Sequence, residues 1–298
     1  MAIERKRASD FHPRILEIFD GYVHGAISKR DFIRQAGQFA VAGVTGAMIL
    51  DQLQPNYAWA AEVDPDDPAI TAERISYMSP DGHGKINALL AKPAGASGKL
   101  PAVLVIHENR GLNPYIEDVA RRVAKAGYLA LAPDGLSPLG GYPGNDEDGR
   151  AMQRSLDGAK LMEDFFAAFE FLRDHDGSTG KVGAVGFCYG GGVCNALAVA
   201  YPDLAASVPY YGRQPEAAEV PAIEAPLMVQ LAGLDERINA GWAAYEAALE
   251  AHQKEYSVHF YPDVNHGFHN DTTPRYDEKA AKLSWKRTLA FFDTHLRG

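Results

Sequence analysis

The hexapeptide Gly-Phe-Cys-Tyr-Gly-Gly at 186–191 constrains the fold of this chain more than any other feature. It follows a short apolar run at 182–185 and precedes a helix-forming stretch at 193–200, which predicts a strand, a tight turn and a helix. The flanking glycines suit such a turn, because nearby Cβ atoms would collide with the strand and the helix. The turn lifts the sulfur of Cys188 toward a helix N-terminus, which favours the thiolate. Taken alone, the hexapeptide equally fits a small buried cysteine.

A carboxylate and a histidine follow the cysteine in the order that such a nucleophile needs. On α/β-hydrolase scaffolds the acid precedes the histidine, and each lies in a loop after a strand. The apolar run 226–231 leads into Asp235, and the alternating run 256–261 leads into His266. Because parallel strands bring their carboxyl ends to one edge of a sheet, Cys188, Asp235 and His266 are predicted to meet there.

The chain has ten histidines, and only one of them is needed as the base, so most of the others are expected to have a different role. Five of them lie in the N-terminal extension, in a strand or near a helix end, and are expected to be packing or surface residues. Asp263 lies near His266 in the sequence and is the alternative to Asp235 as the carboxylate that orients it. Asp263 could instead cap a helix or form a turn. The five histidines are His12, His24, His175, His252 and His259.

A third loop adds candidates for an oxyanion site. The apolar run 100–106 predicts a strand that leads into His-Glu-Asn-Arg-Gly-Leu at 107–112. In serine hydrolases this loop supplies one backbone N–H to the oxyanion hole, and the residue after the nucleophile supplies the other. The corresponding donors are the N–H groups of Asn109 and Tyr189. Glu108 is unusual at its position: it is either a solvated loop charge, a partner for the next arginine, or a carboxylate close to the thiol.

Together these segments resemble the dienelactone hydrolase family, which includes carboxymethylenebutenolidases. The resemblance rests on 186–191, on 107–112 and on three shorter motifs, and it covers about residues 70–298. It implies an α/β-hydrolase fold, a triad of Cys188, His266 and Asp235, and no metal or organic cofactor. It also implies that Glu108 pairs with the resting thiol and helps to deprotonate it when substrate binds. The shorter motifs are Ala132-Pro-Asp134, Gly233-Leu-Asp235 and His266-Gly-Phe268.

Two positions depart from the family members that hydrolyse dienelactone itself. Those members resemble one another in a tyrosine two residues after the Ala-Pro-Asp motif and an arginine four residues after the histidine. Leu136 and Asn270 stand at these positions here. An arginine holds a substrate carboxylate as a charge-assisted pair, so dienelactone specificity stays open. The candidate substrate contacts are Arg110, Asn270 and Leu136, and the candidate replacement cations are Arg110, Arg213 and Arg275.

The residue types predict hydrolysis of an activated ester or lactone through a thioester on Cys188. A thiolate is a good leaving group, so its attack on an amide tends to collapse back to the substrate. We expect a resting thiol that becomes a thiolate on substrate binding, because a nearby Glu108 opposes the effects of His266 and the helix. Two alternatives stay open, a binding module with a retired site and a thiol redox protein. The second lacks a resolving cysteine, since Cys194 is expected to pack in the core.

Composition narrows the classes of partner. The net charge of −10 over 298 residues argues against a nucleic-acid partner, and a hydrophobic content of 46% is sufficient for a sizeable core. We expect a small-molecule ester or lactone as the partner, and no cofactor, no metal and no stable membrane span. The composition does not indicate an oligomeric state.

The order of predicted elements indicates an α/β protein. An N-terminal extension at 1–60 and a linker at 61–70 are expected to precede a catalytic domain at 71–298. After an opening hairpin around Asp81-Gly82, strands alternate with helices, which predicts a mostly parallel sheet with helices on both faces, an α/β-hydrolase fold. The segment 134–150 is a candidate rim or lid. Helices are predicted at 115–126, 151–174, 240–253 and 276–296.

The extension has features of an export signal. Ser-Lys-Arg-Asp-Phe-Ile-Arg at 28–34 resembles a twin-arginine motif with lysine for the first arginine. An uncharged stretch at 35–50, too short to span a membrane, leads to the cleavage-like Ala58-Trp-Ala60. The prediction is export to the periplasm. The alternative is a cytoplasmic protein whose extension is an amphipathic helix, because apolar residues at 15–23 recur at helical spacing.

Overall fold

The computed structural model describes residues 5–40, 43–59 and 62–298. The extension contains the helices α1 (Pro13–Val23), α2 (Lys29–Ala36) and α3 (Gly46–Leu53). The later helices are α4 (Pro114–Lys125), α5 (Asp146–Ser155), α6 (Gly158–Asp174), α7 (Tyr189–Ala200), α8 (Glu236–Asn239), α9 (Trp242–Ala251) and α10 (Glu278–Arg297). The strands are β1 (Ile70–Ser79), β2 (Gly84–Pro93), β3 (Leu100–Ile106), β4 (Leu129–Pro133), β5 (Ser178–Phe187), β6 (Ala206–Tyr210), β7 (Leu227–Ala232) and β8 (Tyr256–Tyr261).

The strands form one sheet in the order β1-β2-β4-β3-β5-β6-β7-β8. β2 pairs antiparallel with both β1 and β4, and every other pair is parallel. The predicted mostly parallel sheet and the opening hairpin around Asp81-Gly82 are confirmed. Because the parallel strands end at one edge, the loops after β3, β5, β7 and β8 lie together there.

Helices cover both faces of the sheet. Alternate residues of β3 point to opposite sides, with Val103 and Val105 in the core next to α4 and α10 and Leu104 in the core next to α6 and α7. Each buried Val or Leu side chain stabilises the fold by about 1.5 to 3 kcal/mol. Cys188 belongs to the first core and Cys194, fully buried, to the second. The prediction that Cys194 packs in the core, on a different face from Cys188, is confirmed.

One of the four predicted helices is interrupted. The one predicted at 151–174 is α5 and α6, because Asp157 caps α6 by accepting hydrogen bonds from the N–H groups of Ala159 and Lys160 (2.9 and 3.3 Å). The one predicted at 240–253 is α9, with the short α8 before it. The remaining two are confirmed as α4 and α10. α5 begins at Asp146, so the candidate rim segment at 134–150 ends in a helix.

The extension folds as helices with a small core of their own. The amphipathic helix considered at 15–23 is present as α1, whose apolar side chains are buried. The stretch at 28–34 forms α2 and its cap: the Ser28 hydroxyl accepts a hydrogen bond from the N–H of Asp31 (3.1 Å), and Phe32 is fully buried. Ala60 of the cleavage-like pattern lies outside the described residues. Export, cleavage and the domain boundaries therefore stay predictions.

In the described ranges, no helix has both the length and the apolar character needed to cross a bilayer. The extension contacts the catalytic domain through hydrogen bonds. The Tyr57 hydroxyl donates to Asp146 Oδ1 (2.5 Å), and the N–H of Asn56 donates to the carbonyl of Thr272 (2.8 Å). α1 lies against the loops that follow β7 and β8, with which it lines a shared cavity.

Candidate active site

Cys188 lies between β5 and α7 in a backbone conformation that few residues adopt. Its φ of 56° is in the region that favours glycine, so the turn is strained at this residue. A Cβ on Gly186 would lie 2.1 Å from the carbonyl oxygen of Gly190, and one on Gly190 would lie 2.4 Å from that of Ile106. Only glycine fits these two positions, which confirms the predicted strand, tight turn and helix.

Asp235 and His266 meet next to Cys188, in the loops after β7 and β8. His266 Nδ1 lies 2.5 Å from Asp235 Oδ2, and Asp235 Oδ1 accepts a hydrogen bond from the N–H of Ile238 (3.2 Å). His266 Nε2 is buried and has no hydrogen-bond partner among the described residues, so a reacting group can use it. The rival carboxylate Asp263 is exposed, in a turn with a φ of 61°.

His24 is a site residue that the sequence analysis assigned wrongly. It was expected to be a packing or surface residue, but its Nε2 lies 3.3 Å from Cys188 Sγ. His24 directly follows α1, and its Nδ1 lies 2.8 Å from the carbonyl oxygen of Asp20 and 3.2 Å from Asp20 Oδ1. Since 164 positions separate His24 from Cys188, no local pattern could have indicated this contact.

The charges around Cys188 favour its thiolate. Burial raises the pKa of the thiol, but the positive charges of His266 and His24 and the hydrogen bond with His24 lower that pKa to about 5. Burial lowers the pKa of His266, whereas the charges of Cys188 and Asp235 raise it to about 10. Both groups are thus charged at neutral pH. The expectation of a resting thiol is wrong, because the sulfur has two imidazole neighbours.

Glu108 lies in the loop after β3 but is bound to other groups. Its Oε2 accepts hydrogen bonds from Arg110 Nε (3.1 Å) and Asn270 Nδ2 (3.0 Å). Among the hydrogen bonds of the described residues, none joins Glu108 to Cys188. Burial raises the pKa of Glu108, but the charge and hydrogen bond of Arg110 and the charges of Arg275 and His266 together hold it below its usual value. The pairing with the resting thiol is therefore wrong for this structure, and the alternative, a partner for Arg110, is the one observed.

The three candidate substrate contacts are also engaged elsewhere. Arg110 is buried between Glu108 and Asp146, whose Oδ2 lies 3.0 Å from Arg110 Nη1. Asn270 is buried against Glu108, and Leu136 is fully buried. Their role as substrate contacts stays a prediction, and the sequence does not show that the loops after β3, β4 and β8 pack on one another.

Of the candidate replacement cations, Arg213 is the one that lines an open cavity together with Cys188. That cavity measures about 550 Å³ and is lined by Cys188, Arg213 and mainly apolar side chains of α6 and α7. The Arg213 side chain is 83% exposed and lies 3.5 Å from Glu216 Oε1. Arg275 is buried, with Nη1 3.7 Å from Asp20 Oδ1. The exposed Arg213 side chain is therefore accessible to a substrate, whereas the buried Arg275 pairs with Asp20 of the extension.

The predicted oxyanion donors lie in two different segments, at the start of α7 and in the loop after β3. Tyr189 is the first residue of α7, where a backbone N–H has no partner within the helix. Asn109 lies in the loop after β3, and its side-chain amide donates a hydrogen bond to the carbonyl of Val23 (2.8 Å). The extension thus contacts the loop after β3 as well as the sulfur.

Tyr211 is a second residue that the sequence analysis missed. It directly follows β6, has a φ of 38°, and packs on the His266 ring with centroids 4.8 Å apart. Its hydroxyl is buried and has no hydrogen-bond partner among the described residues. Its place after a strand of the parallel sheet was the signal that could have revealed it.

The donor atoms of His24, Cys188 and His266 lie within 4.8 Å of one another, the donor types that suit a soft metal ion. Arg237 Nη2 lies 3.1 Å from His24 Nε2 and 3.4 Å from His266 Nδ1. A guanidinium this close repels a cation, so the surroundings of the three residues do not favour a metal ion.

Two family models match separate parts of the sequence. Residues 86–296 match the model described as "Dienelactone hydrolase family", and residues 3–42 match the one described as "YqhI-like". The first match contains Cys188, Asp235 and His266, whereas the second contains Asp20 and His24.

Individual proteins are similar to the same regions. A "Putative carboxymethylenebutenolidase" of Saccharolobus solfataricus is 30% identical over 257 residues, 74% of this chain and 97% of its own length. The "Putative hydrolase fragment YghX" of Escherichia coli is 64% identical over 114 residues, 38% of this chain and 97% of its own length. A crystal structure of a "Putative Dienelactone Hydrolase" from Klebsiella pneumoniae has a TM-score of 0.66 at 27% identity, and the match covers 75% of this chain and 98% of that one.

Proposed function

The chain belongs to the dienelactone hydrolase family of carboxylic ester hydrolases, and from that premise we propose that it cleaves activated esters or lactones through a thioester on Cys188. One observation carries the proposal: the Cys188 sulfur, in a strained turn, lies beside an imidazole that a buried carboxylate holds at 2.5 Å. A nucleophile, a base and an orienting acid are the groups that acyl transfer needs.

In the first half of the reaction, the Cys188 thiolate attacks the carbonyl carbon and a C–S bond forms. The C–O bond to the leaving group breaks, and the imidazolium of His266 gives its proton to the departing oxygen. The N–H groups of Asn109 and Tyr189 stabilise the oxyanion, with about 3 kcal/mol from each donor. Asp235 holds the imidazole in position and stabilises its positive charge.

In the second half, neutral His266 takes a proton from water, and the hydroxide attacks the thioester carbonyl. The C–S bond breaks, the acid leaves, and the thiolate and the imidazolium are restored. The net reaction adds one water across one ester bond.

The thiolate and the cavity together set the substrate class. Attack on an amide reverses more easily than it proceeds, because the thiolate leaves more readily than an amine. Esters of phenols or enols, and lactones that open to an enol, have leaving groups that compete with the thiolate. The apolar lining between α6 and α7 fits an aryl or alkenyl group, and the exposed Arg213 in the same lining fits an acidic one.

A panel of aryl esters, lactones, thioesters and peptides tests the proposal. We expect turnover of the aryl esters and lactones, no turnover of peptides, and an acyl adduct on Cys188 by mass spectrometry after rapid acid quench. Cys188→Ala removes turnover, while Cys194→Ala, a matched change of a buried cysteine, retains it. Substantial hydrolysis by Cys188→Ala would remove the thioester from the mechanism.

The same panel separates the alternatives. A binding module turns over none of these compounds, and a redox protein exchanges thiols with a disulfide probe without hydrolysis. Both cysteines are free thiols, and they lie in cores on opposite faces of the sheet, which disfavours a redox pair.

A further inference from the structure

We propose that His24, held by Asp20, is a second catalytic imidazole that stays protonated and stabilises the Cys188 sulfur as nucleophile and as leaving group. The inference rests on the proposed thioester mechanism. It assigns to the N-terminal extension a part of the active site that the catalytic domain alone does not contain.

The geometry gives the sulfur two imidazole neighbours. His24 Nε2 lies 3.3 Å from Cys188 Sγ, and its other ring nitrogen faces Asp20. The rings of His24 and His266 are perpendicular, at 89°, with centroids 4.8 Å apart. Because the rings are not stacked, each can present its own nitrogen to the reacting centre. Asp20 and His24 thus place a second carboxylate and imidazole beside the sulfur, with His24 Nδ1 hydrogen-bonded to the backbone carbonyl of Asp20 (2.8 Å) and 3.2 Å from its carboxylate Oδ1.

Charges on every side of His24 decide its protonation. Asp20 and Cys188 favour the imidazolium, while the guanidinium of Arg237, 3.1 Å from Nε2, and the neighbouring His266 oppose it. Burial lowers the pKa of His24, but the charge of Cys188 and the hydrogen bonds with Asp20 and Cys188 raise it above its ordinary value. The neighbours of His24 therefore favour its imidazolium form beside a negative sulfur.

Asp20 is held as a carboxylate by cations of the catalytic domain. Arg237 Nε lies 3.2 Å from Oδ2, and Arg275 Nη1 lies 3.7 Å from Oδ1. Burial raises the pKa of Asp20, but the hydrogen bond with His24 and the charges of His266, His24 and Arg275 hold it well below its usual range. The Asp20 carboxylate, 3.2 Å from His24 Nδ1, favours a positive charge on the imidazole, and the Asp20 carbonyl, 2.8 Å from Nδ1, orients the ring.

The Nε2 atoms of the two imidazoles have different contacts, and this difference indicates which imidazole transfers a proton and which one stabilises the charge of the sulfur. His266 Nε2 has no partner among the described residues and can exchange a proton with the leaving group or with water. His24 Nε2 is already engaged with the sulfur and lies beside Arg237. His266 therefore moves the proton in each half-reaction, while His24 keeps its proton throughout. When the thioester breaks, the sulfur leaves as a thiolate opposite a permanent cation.

The alkylation rate of Cys188 by iodoacetamide, measured against pH, tests the contact without turnover. We expect His24→Gln to raise the apparent pKa of alkylation by about one unit or more, since one of two flanking cations is lost. In aryl-ester hydrolysis, kcat/KM should fall about 100-fold. His252→Gln, a matched change at an exposed histidine, should leave both unchanged. A His24→Gln profile that coincides with that of His252→Gln in both measurements would overturn the inference.

The two measurements keep this inference separate from the proposed function. If no variant and no wild-type protein cleaves esters, the thioester mechanism fails, while a shifted alkylation profile still assigns His24 to the sulfur. If esters are cleaved and neither measurement responds to His24→Gln, the mechanism stands and the second imidazole is refuted.

Further variants guard against loss of folding. Asp20→Asn keeps the imidazole but removes its carboxylate, and we expect a shift of the alkylation profile in the same direction. His24→Ala leaves space for a ring, and added imidazole should restore part of kcat in a saturable manner. A histidine needed only for packing would give stability loss without this rescue, and that result would also overturn the inference.

Discussion

The side-chain amide of Asn109 donates a hydrogen bond to the carbonyl oxygen of Val23, 2.8 Å away. Val23 ends α1, and Asn109 lies in the loop whose backbone N–H is the proposed oxyanion donor. Asn109→Ala releases that loop from the extension, and we expect kcat to fall about 10-fold while the alkylation profile of Cys188 is unchanged. Steady-state kinetics on an aryl ester measure the effect.

The matched control is Asn145→Ala, which removes a helix-capping side chain at the exposed start of α5. It should lower stability by about 1 kcal/mol and leave kcat unaltered. An Asn109→Ala protein with the kcat of the wild type would show that the hydrogen bond to Val23 does not position the oxyanion loop.

The ionisation of Cys188 and His266 sets the pH dependence of activity. Acylation needs the thiolate and the imidazolium, so kcat/KM is expected to fall below about pH 5, where the thiol regains its proton. It is expected to fall again above about pH 10, where His266 loses its proton. His24 and Arg275 also face the sulfur as cations, and Asp235, Asp20, Glu108 and Arg237 face His266.

Initial rates from pH 4 to 11, with circular dichroism at each pH, check this profile. An acid-side midpoint in the ordinary range of a cysteine thiol, about 8.5, would mean that the sulfur rests protonated.

Gly190 permits the close approach of α7 to β3. A Cβ at this position would lie 2.4 Å from the carbonyl oxygen of Ile106, and backbone cannot move aside as a side chain can. We expect Gly190→Ala to destabilise the fold by about 3 kcal/mol and to reduce activity by displacing Cys188. Gly192→Ala is the control: its Cβ would be 3.7 Å from the nearest atoms, and alanine favours a helix by about 0.5 to 1 kcal/mol. Urea unfolding of both variants gives the difference, and equal stabilities would contradict the steric argument.

The hydroxyl of Tyr211 is buried beside His266 without a partner among the described residues. An unpaired buried hydroxyl destabilises a protein by about 1 to 3 kcal/mol, so Tyr211→Phe should retain or raise stability. If that hydroxyl donates to the substrate, kcat/KM falls about 10-fold.

Tyr210→Phe is the control, because the Tyr210 hydroxyl has a hydrogen-bond partner, Thr288 Oγ1 at 2.8 Å. It should lower stability by about 1 kcal/mol and leave the kinetics unchanged. Thermal unfolding and kinetics of the two variants are compared, and unchanged kinetics in Tyr211→Phe would exclude the hydroxyl from substrate binding.

Arg213 is the exposed cation at the cavity that contains Cys188. We expect Arg213→Gln to raise KM about 10-fold for an ester with a carboxylate in its leaving group and to leave KM for its neutral analogue unchanged. The difference should shrink at high salt, because an exposed pair is screened. Arg34→Gln, at another exposed arginine, is the control. Equal effects on both esters would rule out recognition of the carboxylate by Arg213.

The positions of Cys188, Asp235 and His266 could be predicted because each depends on local sequence. Each follows an apolar or alternating run, and a parallel sheet brings such loops together whatever the details of packing. The same reasoning predicted the sheet. It failed for the helix predicted at 151–174, because Asp157 caps α6 and divides a stretch whose hydrophobic pattern looks continuous.

Pairing between loops could not be predicted in this way. The sequence alone did not decide whether Glu108 pairs with the thiol or with Arg110. In the structure Asn270 donates a hydrogen bond to Glu108 and Asp146 pairs with Arg110, and this packing favours the pair of Glu108 and Arg110. Leu136 is buried because Gly111, at a φ of +84°, approaches it so closely that a Cβ there would lie 2.5 Å from its Cδ1. His24 reaches the sulfur from a helical segment that carries no motif of its own.

The meeting of His24 with Cys188 joins two stretches of chain that match different families. A proline, an inserted residue or a charge reversal in α1 can thus alter the reactivity of a thiol that lies in another part of the gene. If Cys188 is the nucleophile, its strength can be varied through substitutions in α1, a segment outside the sheet and outside the turn that holds the sulfur.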